Sequence, residues 1–157
     1  ALHILDTTAL SNFALIERPE LIHVAQKEKE LQQLLSVLNY PLVNRSVSFL
    51  FAMELATFID LTSAEYGLYE RLRLVLDDGE ASCLAVAMMR QAVLLTDDFQ
   101  ARRLAKQEEI QISGTIGLLL MLVRSEHITL REANIMLSEM IQHGYRSPVS
   151  NLNAFLD

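Results

Sequence analysis

Short apolar runs alternate with longer stretches of helical spacing along most of the chain. The runs predict buried strands, and the helical spacing predicts amphipathic helices between them. Strands are predicted at residues 3–5, 92–96 and 110–113, and helices at residues 8–16, 64–76, 80–89, 99–107, 116–123 and 129–143, with Asp6 or Thr7 as the first N-cap and Gly144 ending the last helix. Strands that alternate with helices imply an α/β fold with a parallel sheet.

The stretch between residues 21 and 60 has a less distinct pattern. Leucines at helical spacing predict a helix over residues 27–38, which Pro41 ends. Residues 47–58 are largely apolar and fit either a helix or a strand, so the pattern leaves both open there.

The composition fits one folded domain over residues 1–157. Hydrophobic residues make up 51% of the chain and the mean hydropathy is +0.23, which excludes an intrinsically disordered chain. The longest apolar run, residues 116–123, is far shorter than the ~20 residues that a membrane helix needs. We expect so large an apolar share to leave surface that a second copy covers, and therefore predict a homodimer without membrane contact.

Cys83 is the one cysteine in the sequence. A single thiol excludes a disulfide framework and a cysteine-rich zinc site, and it suits a reducing compartment. The sequence also opens without the charged and apolar pattern of a secretory signal peptide. We therefore expect a cytoplasmic protein.

The charge balance limits the ways in which this chain can meet a nucleic acid. Thirteen Lys and Arg residues against twenty Asp and Glu residues give a net charge of −7. This balance disfavours a broad phosphate-binding surface, because such surfaces work through clustered positive charge. Action on nucleic acid would require a small site where a metal or a few arginines make the local charge positive. Arg102 and Arg103 are candidates for such contacts, the alternative being a solvated helix face.

Acidic residues follow the predicted strands at the positions where ligands bind in parallel sheets. Asp6 follows the first strand, and Glu80 opens the helix that leads into a later strand, which Asp97 and Asp98 follow. These starts and ends meet at the carboxyl edge of the sheet. Carboxylates packed together raise each other's pKa, and a hard cation with oxygen ligands, Mg²⁺ or Mn²⁺, relieves that repulsion. Helix capping is the alternative explanation for each acid by itself.

Four motifs in order resemble the PIN-domain family, in its prokaryotic branch with a Gly-Glu-Ala helix start and a Thr-Asp-Asp strand end. They are LDTTAL at residues 5–10, LDDGEA at 76–81, LLTDD at 94–98 followed by ARR at 101–103, and SGTIGLL at 113–119, with HGYRS at 143–147 as a further likeness. The resemblance implies a doubly wound, three-layer α/β/α fold with a parallel sheet of about five strands. It also implies a metal-dependent endoribonuclease, often the toxin of a toxin–antitoxin pair, which would have RNA as substrate and a small antitoxin protein as partner.

The resemblance assigns roles to particular acids of this chain. Asp6, Glu80 and Asp98 match the family's catalytic acids, and together with Asp97 they are the predicted ligands of Mg²⁺ or Mn²⁺. Thr96 is open to two interpretations: its hydroxyl bonds a carboxylate or a metal-bound water, or it is an ordinary strand-end threonine.

One expected acid is missing from its usual place. The family carries a further glutamate on a helix after the second strand, and the matching position falls near Asn39, which supplies no charge. Glu30 and Glu54 are both followed by leucine, as that motif requires, but Glu30 lies in a Lys/Glu run and Glu54 comes late. This departure supports an alternative function, a catalytically degenerate PIN domain that acts as a binding or dimerisation module.

A phospho-acceptor signalling domain also carries acids at a sheet edge. Such domains have paired acids after the first strand and a lysine after the fifth. Here the pair follows a later strand, and residues 113–115 supply no lysine, so this function is disfavoured.

Overall fold

Four parallel strands form the sheet in the part of the chain that the computed structural model describes, namely residues 2–16, 18, 33–35 and 60–156. The strands are β1 (His3–Leu5), β2 (Gln33–Leu35), β3 (Val93–Leu95) and β4 (Ile112–Ser113). Their order is β2-β1-β3-β4, with every neighbouring pair parallel. The chain therefore leaves β1 on one side for β2 and returns on the other for β3, so the strand order reverses between β1 and β3.

The predicted helix over residues 27–38 is wrong at Gln33–Leu35, which form β2. This segment pairs with β1 in parallel register, from His3 opposite Gln33 to Leu5 opposite Leu35. Periodicity alone cannot distinguish a short apolar strand from one turn of a buried helix. Here the segment is a strand because it pairs with the edge of β1. The remaining predictions for residues 19–32 and 36–59 lie outside the described residues.

Six α-helices surround the sheet among the described residues. They are α1 (Thr7–Leu15), α2 (Ser63–Leu72), α3 (Asp78–Arg90), α4 (Phe99–Gln107), α5 (Thr115–Arg124) and α6 (Leu130–Gln142), followed by a short 3₁₀ helix (Asn153–Phe155). Apart from the helix predicted over residues 27–38, each predicted helix with a described position is present, and most ends agree within one or two residues. The exception is α2, which ends four residues before its prediction.

Helix α2 is fixed to α3 by an ion pair. The Arg90 Nε lies 2.6 Å from Oε1 of the buried Glu65, and another guanidinium nitrogen of Arg90 donates to the Asp60 carbonyl. A buried carboxylate needs such a cationic partner, because burial of an unpaired charge is strongly unfavourable.

Alternation along the strands creates a core on each face of the sheet. Leu5 and Leu95 pack with residues of α1, α5 and α6, whereas Ile4 and Leu94 pack with residues of α3 and α4. Successive strand residues point to opposite faces, so the apolar runs of β1 and β3 are buried on both sides. The predicted α/β fold with helices on both faces of a parallel sheet is confirmed. Within the described ranges, no helix has the length and apolar character to cross a membrane.

Phe13 is the largest fully buried side chain of α1, and its replacement tests the core around α1, α5 and α6. We expect Phe13→Ala to lower the free energy of unfolding by about 3–5 kcal/mol, because it removes apolar contacts and leaves a cavity. Leu74→Ala is the control, since Leu74 is 81% exposed and its loss should change stability by less than ~0.5 kcal/mol. Urea unfolding followed by circular dichroism measures both, and equal effects would contradict this core.

Candidate metal centre at the carboxyl edge of the sheet

Asp6 lies at the centre of the carboxyl edge, directly after β1, and is only 1% exposed. Its Oδ2 accepts hydrogen bonds from the Thr8 hydroxyl at 2.6 Å and from the Thr96 hydroxyl at 2.8 Å. Its Oδ1 is buried and has no hydrogen-bond partner among the described atoms. A buried carboxylate oxygen without a donor is costly, and a bound cation at this place would satisfy it.

Glu80 approaches the same place from the first turn of α3. Its Oε2 accepts a hydrogen bond from the Asp77 amide at 3.3 Å. Burial, and then the negative charges of Asp98 and Asp6, raise the pKa of Glu80 to about 7. Glu80 therefore lies within the electrostatic reach of the other two acids.

Asp98 is the N-cap of α4 and the third member of this group. Its Oδ1 accepts from the Ala101 amide at 2.7 Å, and its own amide donates to the Thr96 hydroxyl at 3.1 Å. Thr96 therefore links Asp6 and Asp98 through one side chain. Of the two interpretations of Thr96, the hydrogen bond to a carboxylate is correct. We call Asp6, Glu80 and Asp98 the acidic triad.

Asp97 faces a different set of partners. Its carboxylate accepts from the Thr115 amide at 3.1 Å, from the Asn12 side-chain amide at 3.2 Å and from the Tyr145 hydroxyl at 3.2 Å. These donors come from α5, from α1 and from the segment after α6. Asp97 therefore sits beside the acidic triad in sequence, but its oxygens are occupied by protein donors.

Arg102 and Gly114 shape the neighbouring ends of β3 and β4. Arg102 Nη1 donates to the carbonyls of Thr96 at 2.8 Å and Ser113 at 3.1 Å. A Cβ at Gly114 would lie 2.5 Å from Asp97 Oδ1 and 2.9 Å from the Thr96 carbonyl, so the close approach of the two loops requires glycine. Arg103 is exposed, which agrees with a solvated helix face, whereas the guanidinium of Arg102 lies at the ends of β3 and β4.

The chemistry of the acidic triad fits a hard divalent cation, which prefers carboxylate oxygens. Two features support that fit: the unpartnered Oδ1 of Asp6, and the pKa of Glu80, which burial and then the charges of Asp98 and Asp6 raise to about 7. Within the described residues, no three His, Cys, Asp or Glu side chains are already grouped closely enough to hold an ion. The carboxylates of Glu80 and Asp98 each accept a hydrogen bond from a backbone amide at the start of a helix, as the capping alternative predicted.

The candidates for a further acid, Glu30 and Glu54, lie outside the described residues, as does Asn39. Four polar residues of the site were not predicted as parts of it. They are Thr8, Asn12, Thr115 and Tyr145. Only Thr8 had a local signal, since it follows Asp6 by two residues, the spacing of a side-chain hydrogen bond back to an N-cap.

The raised pKa of Glu80 predicts a pH dependence of stability in the metal-free protein. The pKa in the folded state, about 7, lies above the ordinary value of 4.5, so between them the folded chain holds a proton that the unfolded chain releases. The free energy of unfolding should therefore fall as the pH rises through this window. Urea unfolding at several pH values measures the slope.

Two variants separate the causes of this shift. We expect Asp98→Asn to lower the pKa of Glu80, because it removes a neighbouring negative charge. Glu80→Gln should flatten the pH dependence, whereas Glu108→Gln, at the far end of α4, should leave it unchanged. Carboxyl-selective NMR titration reads the pKa directly, and an unaltered value in Asp98→Asn would contradict the coupling.

Comparisons with known proteins agree with this architecture. The solved structure of VapBC-1 from nontypeable Haemophilus influenzae has a TM-score of 0.52 and 14% identity, over 73% of this chain and 98% of that chain. Identity this low indicates a shared fold and nothing finer. No curated protein matches at the significance required of a relative. The family model described as PIN domain matches residues 2–157, so this chain belongs to the PIN-domain family.

Proposed function

We propose that this protein is a divalent-cation-dependent endoribonuclease in which Asp6, Glu80 and Asp98 are the catalytic acids and ligands of the cation. The observation that carries the proposal is the buried, unpartnered Oδ1 of Asp6 at the point where the strand order reverses. PIN domains are generally nucleases that use divalent metal ions, and membership of that family supports the same chemistry here.

Mg²⁺ or Mn²⁺ is the proposed cofactor, because both prefer oxygen ligands and retain waters. When bound, such a cation activates water and stabilises the charge of a phosphodiester transition state.

The residues of the chain prepare this place in three ways. Thr8 and Thr96 hold one oxygen of Asp6, so the other oxygen has a defined position. Burial and the neighbouring acids raise the pKa of Glu80 to about 7, and a cation bound here would favour the ionised form of its carboxylate. Arg102, bonded to the Thr96 and Ser113 carbonyls, adds a positive charge at the ends of β3 and β4 that would favour a phosphate group there.

The direct test measures cleavage of single-stranded and structured RNA by the purified protein with and without Mg²⁺ or Mn²⁺. We expect cleavage only with the metal, and we expect Asp6→Asn to abolish it. Asp60→Asn is the matched control, because the Asp60 carbonyl contacts Arg90 at the end of α3 that lies away from Glu80. The control variant should cut RNA at the wild-type rate.

Two outcomes would contradict the nuclease proposal. Full cleavage in excess chelator would show that the acidic triad works without a cation. Isothermal titration calorimetry without Mg²⁺ or Mn²⁺ binding at millimolar metal would favour the alternative, a degenerate PIN domain that acts as a binding or dimerisation module. Asp98→Asn should weaken metal binding, and Glu108→Gln should not.

The proposal includes two protein partners. The family resemblance implies a small antitoxin protein, and the shared fold with the VapBC-1 structure is compatible with that role. We further expect a homodimer, because large apolar side chains such as Val75, Met89 and Phe99 are exposed in this single chain. Light scattering of the purified protein should give twice the chain mass of 17.7 kDa, and a monomer over the whole concentration range would contradict the dimer.

A further inference from the structure

The end of α6 brings a tyrosine back to the site. Gly144 has a φ of +104°, a conformation that glycine adopts without a Cβ penalty. Its amide donates to the Ile141 carbonyl, and the Tyr145 amide donates to the Met140 carbonyl, the two bonds of a Schellman motif. The chain turns back after this motif, and Tyr145 packs against the core formed with α1, α5 and α6.

The hydroxyl of Tyr145 reaches Asp97 at 3.2 Å. Burial, together with the negative charge of Asp97, raises the pKa of Tyr145 well above its ordinary value of 10.0, so the phenol remains protonated. Tyr145 is therefore a permanent hydrogen-bond donor. Its partner lies 48 positions earlier in the sequence, in the turn that connects β3 to α4.

Both the carboxylate and the backbone amide of Asp97 make hydrogen bonds. Its two carboxylate oxygens accept from the amide and hydroxyl of Thr115, from Asn12 and from Tyr145. Its own amide donates to the Thr8 hydroxyl at 2.9 Å, and that hydroxyl in turn donates to Asp6. The carboxylate of Asp97 thus anchors the turn to the scaffold, while its amide contacts a residue that holds the acidic triad.

We propose that Tyr145 is a positioning residue for the acidic triad: with Asn12 and Thr115 it holds Asp97, and Asp97 fixes the turn from which Thr96 and Asp98 reach the site. Asp97, predicted from the sequence as a metal ligand, then has a positioning role, because four protein donors already occupy its oxygens. The effect on catalysis rests on the proposed function, but the hydrogen-bonded clamp itself does not.

The test removes one hydroxyl at a time. Tyr145→Phe keeps the buried ring and loses only the donor to Asp97. Tyr69→Phe is the matched control, because Tyr69 also packs against a core cluster and its hydroxyl lies within the electrostatic reach of a carboxylate, Asp78, outside the acidic triad. A cooperative urea unfolding transition in both variants establishes that the fold is intact.

Amide hydrogen exchange measures the clamp without reference to activity. We expect the Thr115 amide, which donates to Asp97, to exchange about tenfold faster in Tyr145→Phe than in wild type, because its acceptor is less restrained. Tyr69→Phe should leave this rate unchanged. Exchange of Thr115 within twofold of wild type in Tyr145→Phe would overturn the clamp.

Cleavage kinetics with Mn²⁺ measure the consequence for the site. Tyr145→Phe and Asp97→Asn should each lower kcat about tenfold with little change in KM, as loss of a supporting hydrogen bond does. The double variant should lose little more than either single variant, because both changes disable one unit. Losses of kcat that multiply in the double variant would overturn the shared role. Loss of Mn²⁺ binding in Asp97→Asn, with binding intact in Tyr145→Phe, would overturn it as well. A wild-type protein that cuts no RNA would refute the proposed function, and Thr115 exchange would still decide whether the clamp exists.

Discussion

The repulsion among three carboxylates at one sheet edge is the constraint on which the site depends. Parallel pairing of β1 with β3 places Asp6 and Asp98 after neighbouring strand ends, and α3 begins at the same edge with Glu80. The fold thereby buries Glu80 beside two like charges, and burial followed by these charges raises its pKa. A raised pKa of this kind, maintained at a strand-order reversal, is typical of functional sites and is not required for stability.

In the turn after β3, the side chains of three consecutive residues point in different directions. Thr96 points to Asp6, Asp97 points to α5 and Tyr145, and Asp98 begins α4. Two adjacent aspartates therefore have separate environments, one surrounded by donors and one close to like charges. Protein donors hold Asp97 towards α5 and Tyr145, and the like charges with the largest effect on the pKa of Glu80 are those of Asp98 and Asp6.

A residue of the site can be predicted from the sequence where its position depends on nearby residues or on the general geometry of a parallel sheet. Asp6 and Asp98 are predictable, because a parallel sheet brings the residues after its strands to one edge whatever the loops do. β2 is not, since a segment as short as Gln33–Leu35 has no periodicity to distinguish it, and only its partner β1 selects the strand.

The same reasoning separates Thr8 from Tyr145. Thr8 carries a local signal in its spacing from Asp6, whereas the contact of Tyr145 with Asp97 depends on where α6 ends. Gly144 was predictable as the end of that helix, but the direction of the next residue is a property of the packed core, which no nearby residue encodes. The acid pair was likewise visible in the sequence, but the different surroundings of Asp97 and Asp98 were not.

The overall charge of the chain finally connects cation binding with substrate binding. A protein with a net charge of −7 repels a polyanion over most of its surface, and the acidic triad adds to that repulsion. In the proposed nuclease, attraction for a phosphodiester must therefore arise locally, from the bound cation and from the guanidinium of Arg102, which is held between β3 and β4. Affinity for RNA then depends on occupancy of the metal centre. Loss of the cation would weaken binding of the substrate as well as its cleavage.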